Sequence, residues 1–318
     1  MPHATTQVVK VLCRVLRHNA EALASDMSPA RRGDVAAVHH VRVATRRLRA
    51  ALSFAEKMGR FGERDLARDL KRVTRAFGHV READVVRELI LDMAERHDWP
   101  PLVVARIERA TMVRRSDRRD AMRKALSGVR ARAIKKRIEA IASRLETTNP
   151  EARALAVILA EVRRRTRKLS EAVEIAGTVY GVEPLHRARI ATKKLRYALE
   201  AVEGTLDRAD DRARRRLKRF QEHLGHIHDL QVAQRYVRAT QTESDVTATV
   251  AAQIAVIDRA IDLQCRQLHG QLLRERQAIV TMLDGLSAAI ASRVTPRRVG
   301  RMARMRARRS GRRMAVGA

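Results

Sequence analysis

Three features of the sequence predict an all-α fold. Aromatic residues make up only 3% of a chain that is 45% hydrophobic. The apolar content is therefore mostly Ala, Leu, Val and Ile, and Ala and Leu favour helices whereas strands draw on aromatics. Apolar residues also recur at helical spacing, with prolines and glycines falling between the periodic stretches as helix breakers do. Finally, one basic helical segment occurs twice at a fixed offset, which points to a repeated helical unit.

In chain order, Pro29 and Gly33 close a first segment, and Gly59 and Gly62 a second. Gly78 lies inside a third periodic run, and Pro100-Pro101 ends the next. Asn149-Pro150-Glu151 reads as an N-cap, a first-turn proline and an early acid, a good helix start. Gly177, Gly181 and Pro184 mark the following break. This punctuation gives roughly six helices before residue 148 and six after it. Three segments follow: a first helical bundle over 1–148, a second over 149–292, and an Arg-rich tail over 293–318. The tail holds ten arginines and no acid. It is expected to be disordered, or ordered only on a polyanion.

Charge narrows the function. Lys and Arg number 67 against 36 Asp and Glu, a net charge of +31. A compact body so charged repels itself until counterions or a polyanion neutralise it. The two cysteines, Cys13 and Cys265, form no CxxC pair, which fits a reduced compartment. The N-terminus carries no signal pattern, and no apolar run of ~18 residues predicts a membrane span. A cytoplasmic protein is expected.

The repeat has an offset of 147. Residues 38–52 (VHHVRVATRRLRAAL) and 185–199 (LHRARIATKKLRYAL) agree at eight of fifteen positions, and Arg46-Arg47 becomes Lys193-Lys194. The same offset aligns 67–80 (ARDLKRVTRAFGHV) with 214–227 (RRRLKRFQEHLGHI), keeping Gly78/Gly225 and His79/His226 in step. Two blocks in one register argue for duplication. The period far exceeds that of solenoid repeats, so two pseudo-symmetric bundles are expected rather than a stacked array.

On a helix, Val41, Ala44, Leu48, Leu52 and Ala55 form one apolar stripe. His39, Arg42, Arg46 and Arg49 form a second, roughly opposite, with a rise of about 15 Å from first to last. In the copy, Leu185, Ala188, Leu195 and Leu199 face the core, and His186, Arg189, Lys193 and Arg196 make the basic row. Cations three and four apart repel by a few tenths of a kcal/mol per pair, so a helix built only for stability would alternate them with Glu. Such a row suits a ligand with negative charge along its length. Arginine gives planar, multi-donor recognition of phosphate oxygens and lysine a mobile point charge. A nearby polyanion would raise the pKa of His39 and His186, so binding is expected to strengthen as pH falls. Each histidine can instead serve as a neutral hydrogen-bond partner at a helix start.

The second block supplies a partner helix. Leu66, Leu70, Val73, Phe77 and Val80 form its apolar stripe, flanked by Arg68, Lys71 and Arg75. In the copy, Leu217, Phe220, Leu224 and Ile227 are flanked by Lys218 and Gln221. Gly78 and Gly225 permit either a close helix approach or a break. The acids after them, in Arg81-Glu82-Ala83-Asp84 and His228-Asp229, either orient neighbouring bases or satisfy local charge.

These blocks resemble the CHAD family, the conserved histidine α-helical domain. Its pattern His-x-x-Arg-(apolar)-x-x-basic-basic-Leu-Arg is matched at His39–Arg49 and at His186–Arg196. Its second pattern, Gly-x-x-Arg-Asp-x-Asp, is similar to Gly78–Asp84 with Glu82 at the first Asp, and His228 stands where Asn is common in the second half. The likeness spans about residues 5–290. It implies two helical bundles about a pseudo-twofold axis with a basic groove or pore between them. It also implies binding of inorganic polyphosphate and association with polyphosphate granules. On this basis His39, Arg42, Arg46, Arg49, Lys71, His186, Arg189, Lys193, Arg196 and Lys218 are the expected phosphate contacts, joined by Arg75, Arg81, Gln221 and His228. The Glu-x-Glu-x-Lys signature of the CYTH-type domain fused in some relatives is absent, so a stand-alone binding module is expected.

Two other classes compete. Weak, non-specific nucleic-acid binding suits the charge, but three Tyr, one Trp and four Phe leave few stacking platforms. An enzyme or metal protein would use His39 and His186 as phospho-acceptors, or His223, His226 and His228 as ligands. No HExxH, P-loop or nucleophile-elbow pattern accompanies them, so no catalytic residue, metal or cofactor is expected. Oligomeric state is not legible.

Overall fold

The computed structural model describes residues 8–59, 61–148, 151–178, 181–200 and 208–294. These residues form nine α-helices and no strand. They are α1 (Val8–Arg32), α2 (Val35–Gly59), α3 (Arg64–His97), α4 (Pro101–Ala125), α5 (Ala131–Thr148), α6 (Glu151–Thr178), α7 (Val182–Glu200), α8 (Arg208–Gln241) and α9 (Ala248–Val294). The fold is all-α, as composition and periodicity predict. The expected tally of six helices on each side of residue 148 is corrected to five and four among the described residues. The proposed start at Asn149-Pro150 and the tail beyond Val294 lie outside them.

Several ends follow the punctuation in the sequence. Gly33, at φ 97°, closes α1 in a left-handed conformation that costs a glycine little. Asp34 then caps α2, its carboxylate accepting from the Ala37 amide at 2.7 Å. α3 ends at a left-handed Asp98, the Trp99 amide bonding back to the Ala94 carbonyl, and Pro101 opens α4. Gly78 and Gly225 break nothing: α3 and α8 run through them for 34 residues each, about 50 Å.

Those two long helices organise the molecule around two cores. Their N-terminal halves join α1, α2, α5, α6, α7 and the end of α9 in the larger core, which includes Leu48, Phe54, Phe77, Leu195, Phe220 and Ile227. Their C-terminal halves, through Val86–Met93 and Leu230–Val237, join the starts of α4 and α9 in a smaller one. Both cores take residues from either side of residue 148, so burial does not divide the chain there. Between the two cores lies a waist, from Val80 to Val86 on α3 and from Ile227 to Leu230 on α8.

The larger core is tied by a buried carboxylate. Glu161 of α6 is 2% exposed and holds Lys57, Arg164 and Arg165, while Arg165 also donates to the Ser53 hydroxyl at 2.7 Å and the Lys194 carbonyl at 3.0 Å. Burial pushes the Glu161 carboxyl up, but hydrogen bonds from Arg164, Lys57 and Arg165 outweigh it and hold the group ionised far below its usual range. Glu161→Ala strands the buried Arg165 guanidinium without its counter-ion. It is expected to destabilise the protein by about 3–5 kcal/mol, read as a fall in denaturant midpoint. For the native protein the sign is that of a depressed acid: the stabilisation is present above pH 4.5 and is lost as pH falls below it.

Candidate anion-binding cleft

The two basic rows converge at the waist. Arg42 and Arg46 of α2, Arg75 and Arg81 of α3, Arg189 of α7 and His228 of α8 line one cleft of about 250 Å³. Five arginines thus face two carboxylates, Glu82 and Asp229. The convergence follows from packing. The apolar stripes Val41–Leu48 and Leu185–Leu195 are buried in the larger core, so each row emerges on the far side of its helix, toward the α3–α8 contact.

Arg42 reaches in to α3. Its guanidinium donates to the Phe77 carbonyl of α3 at 3.1 Å. A Cβ at Gly78 would stand 3.3 Å from that guanidinium, so this glycine serves close approach. Around Gly225 nothing lies within 4 Å of such a Cβ. Gly225→Ala is therefore expected to stabilise α8 by about 0.8–1 kcal/mol without touching the cleft. Gly78→Ala gains similar helix propensity but displaces the Arg42 head, so it is expected to weaken anion binding. Paired thermal and binding titrations check both.

The electrostatics are those of crowded, partly dehydrated cations. Burial, then Arg189, Arg46 and Arg42, pull the Lys193 ammonium down from 10.5 to about 6. Burial and the same neighbourhood lower Arg42 and Arg189; guanidinium keeps its proton nonetheless, and the Arg189 Nε is buried without a hydrogen-bond partner among the described residues. His228 falls to about 3 through burial, Arg189 and His186, whose ring lies 5.5 Å away. His39 and His186 are lowered too, by burial first and then by Arg81 and Arg189 respectively. Asp229, raised by burial against the pull of Arg189 and Lys193, is the acid inside the cluster. Arg49 is lowered by local dehydration of its head and then by Arg46, although the residue as a whole stays exposed.

Other expected contacts stand differently. Arg196 donates to Gln221 at 2.8 Å and is paired with Glu200, which also holds Arg47. Arg81 lines the cleft but is paired with Glu88 at 3.0 Å. Lys71 and Lys218 lie exposed on α3 and α8, Lys218 within 3.9 Å of Glu222. Asp229, read from sequence as an acid that could orient neighbouring bases, lies beside Arg189 and Lys193, whereas Arg118 of α4 and Arg235 of α8 were not singled out from sequence. Arg118 donates to Glu82 at 2.9 Å and to the His79 carbonyl at 3.1 Å, and Arg235 depresses His186 and His228. Among the described residues no group of three His, Cys, Asp or Glu could hold a metal ion. His223 and His269 instead bond the Leu268 and Ala176 carbonyls. Nor is any described helix long and apolar enough to cross a membrane.

A long-helix, all-α protein with a cationic cleft at its waist is the class that fold and site define. The chain belongs to the CHAD domain family, whose model matches residues 14–238. Its fold is similar to that of PptA from Streptomyces chartreusis, at TM-score 0.61 and 18% identity, covering 88% of this chain and 98% of that one. It is also similar to the CHAD domain from the plant Ricinus communis, at TM-score 0.58 and 22% identity, covering 89% and 91%. No curated protein matches the sequence.

Proposed function

We propose that this protein binds inorganic polyphosphate in the waist cleft, as a binding module rather than an enzyme, and associates with polyphosphate granules. One observation carries the reading. Two basic rows 147 residues apart in sequence supply Arg42, Arg46 and Arg189 to a single cleft with a cationic excess. Burial first, and then neighbouring cations, lowers Lys193 and the histidines, which supports a ligand that brings negative charge into the cluster; a phosphate chain does so while releasing its own counterions. Single-stranded nucleic acid is the weaker ligand, because among the described residues no Phe, Tyr or Trp lines the cleft to stack a base; duplex DNA is separated by the competition below.

The test is a thermal-shift and binding titration with polyphosphate of defined length at several salt concentrations, with duplex DNA as competitor. Polyphosphate is expected to raise the melting temperature, to bind with a steep salt dependence, and to resist displacement by DNA. Absence of a shift, or equal displacement by DNA, overturns the reading. Release of orthophosphate would overturn the non-enzymatic part alone.

A further inference from the structure

A second basic groove opens beside the cleft, of about 410 Å³ between α3 and α4. Arg68, Lys71, Arg72 and Arg75 line one wall, Arg118 the other, and Ala121 and Ala125 leave its floor open. Arg75 and His79 line both the groove and the cleft, so the two spaces meet at these side chains. Arg118 stands at the junction, bonded to Glu82 on the cleft side. Among the described residues, Lys71, Arg72 and Arg75 have no carboxylate within ion-pair distance, and Arg68 meets only Asp65 on the surface. From Arg68 to Arg81 the track rises about 20 Å along α3.

The corresponding side of the other half carries bulkier and less basic side chains. α4 and α9 begin 147 residues apart, and α9 packs on α8 as α4 packs on α3. At that offset Ala121 and Ala125 become Leu268 and Leu272, the latter fully buried, and Arg118 becomes the buried Cys265. Arg75 becomes Glu222, which lies beside Lys218. Leucines fill the space that the alanines leave, and an acid replaces the bridging arginine.

We infer that a polyphosphate chain longer than the cleft leaves it on one side only, past Arg75 and His79 into the α3–α4 groove, where Arg68, Arg72 and Arg118 form a second phosphate subsite. This rests on the polyphosphate reading above and adds a direction to it. A short chain fits in the cleft; a long one gains the groove, and no equivalent gain exists on the α8–α9 side.

The test compares Arg68→Glu/Arg72→Glu with Arg215→Glu/Arg219→Glu. Both pairs lie on exposed positions and change the net charge equally. Affinities are measured for a chain of a few phosphates and for one of many tens. The α3 pair is expected to lose tenfold or more for the long chain with little change for the short one; the α8 pair is expected to lose much less. A steric variant, Ala121→Leu/Ala125→Leu, fills the groove without altering charge and is expected to reproduce the loss. If the native protein binds long chains but the α3 and α8 pairs behave alike, the subsite is refuted while the cleft stands. If the native protein binds neither chain, the underlying reading fails instead.

Discussion

Arg42→Glu/Arg189→Glu is expected to reduce polyphosphate affinity at least a thousandfold while leaving helicity unchanged. Each arginine offers charge-assisted hydrogen bonds of about 1.5–3 kcal/mol to a phosphate, and reversal replaces attraction with repulsion. A combined loss of about 4 kcal/mol is a thousandfold in affinity. The residues come from different helices and different halves of the chain, yet line the same cleft. The change forfeits the bond from the Arg42 guanidinium to the Phe77 carbonyl but leaves the apolar stripes that carry both helices in the core intact. Burial first, and then like charge, lowers both guanidinium groups; reversal removes only the like charge, so the melting temperature is expected to stay close to native. The logarithmic salt slope is expected to shrink with the lost contacts. Circular dichroism and titrations at three salt concentrations check all of this.

Lys193→Met is expected to stabilise the protein by several degrees while weakening anion binding. The ammonium is held near 6 instead of 10.5 by burial and by Arg189, Arg46 and Arg42, a lowering that the raised Asp229 does not offset. Between those values the unfolded chain carries a proton that the folded one rejects. Lys193 therefore lowers stability progressively as pH falls from 10.5 toward 6, and no further below. Methionine keeps the length of the stem and removes the penalty. A polyanion in the cleft acts the other way, restoring the ammonium and favouring charge on His186. Binding at neutral pH thus takes up protons, and affinity rises as pH drops through the bound-state value toward about 6. Calorimetry in two buffers of different ionisation heat reads the uptake, which Lys193→Met is expected to diminish.

The helical stripes and the basic rows were legible because burial on a helix repeats every three or four residues, and a row that recurs 147 residues later keeps its histidine in place. What the rows face was not legible. Arg42 and Arg46 look like Arg196 in sequence, but Arg196 lies within reach of Glu200 four residues on and is committed to it, as Arg81 is to Glu88. Arg118 sits in a stretch of α4 so rich in arginine that no periodicity separates it from Arg114, over the same Tyr236 ring, or from Arg115, bonded to Asp84. Asp229 gains meaning only from Arg189 and Lys193, which tertiary packing brings to it. The helix count erred in part for a local reason: Gly225, read as a possible break, lies inside α8 with open space around it, where glycine weakens a helix without ending it.

The most direct measurement is the stoichiometry of binding to a polyphosphate just long enough to span the cleft, for the native protein and for Arg42→Glu and Arg189→Glu separately. If one strand bridges both rows, the native protein takes up one chain, and either reversal weakens that single event without changing the count. Two chains per molecule, or a reversal that removes one event and spares another at native affinity, would show that the rows act apart and contradict the account.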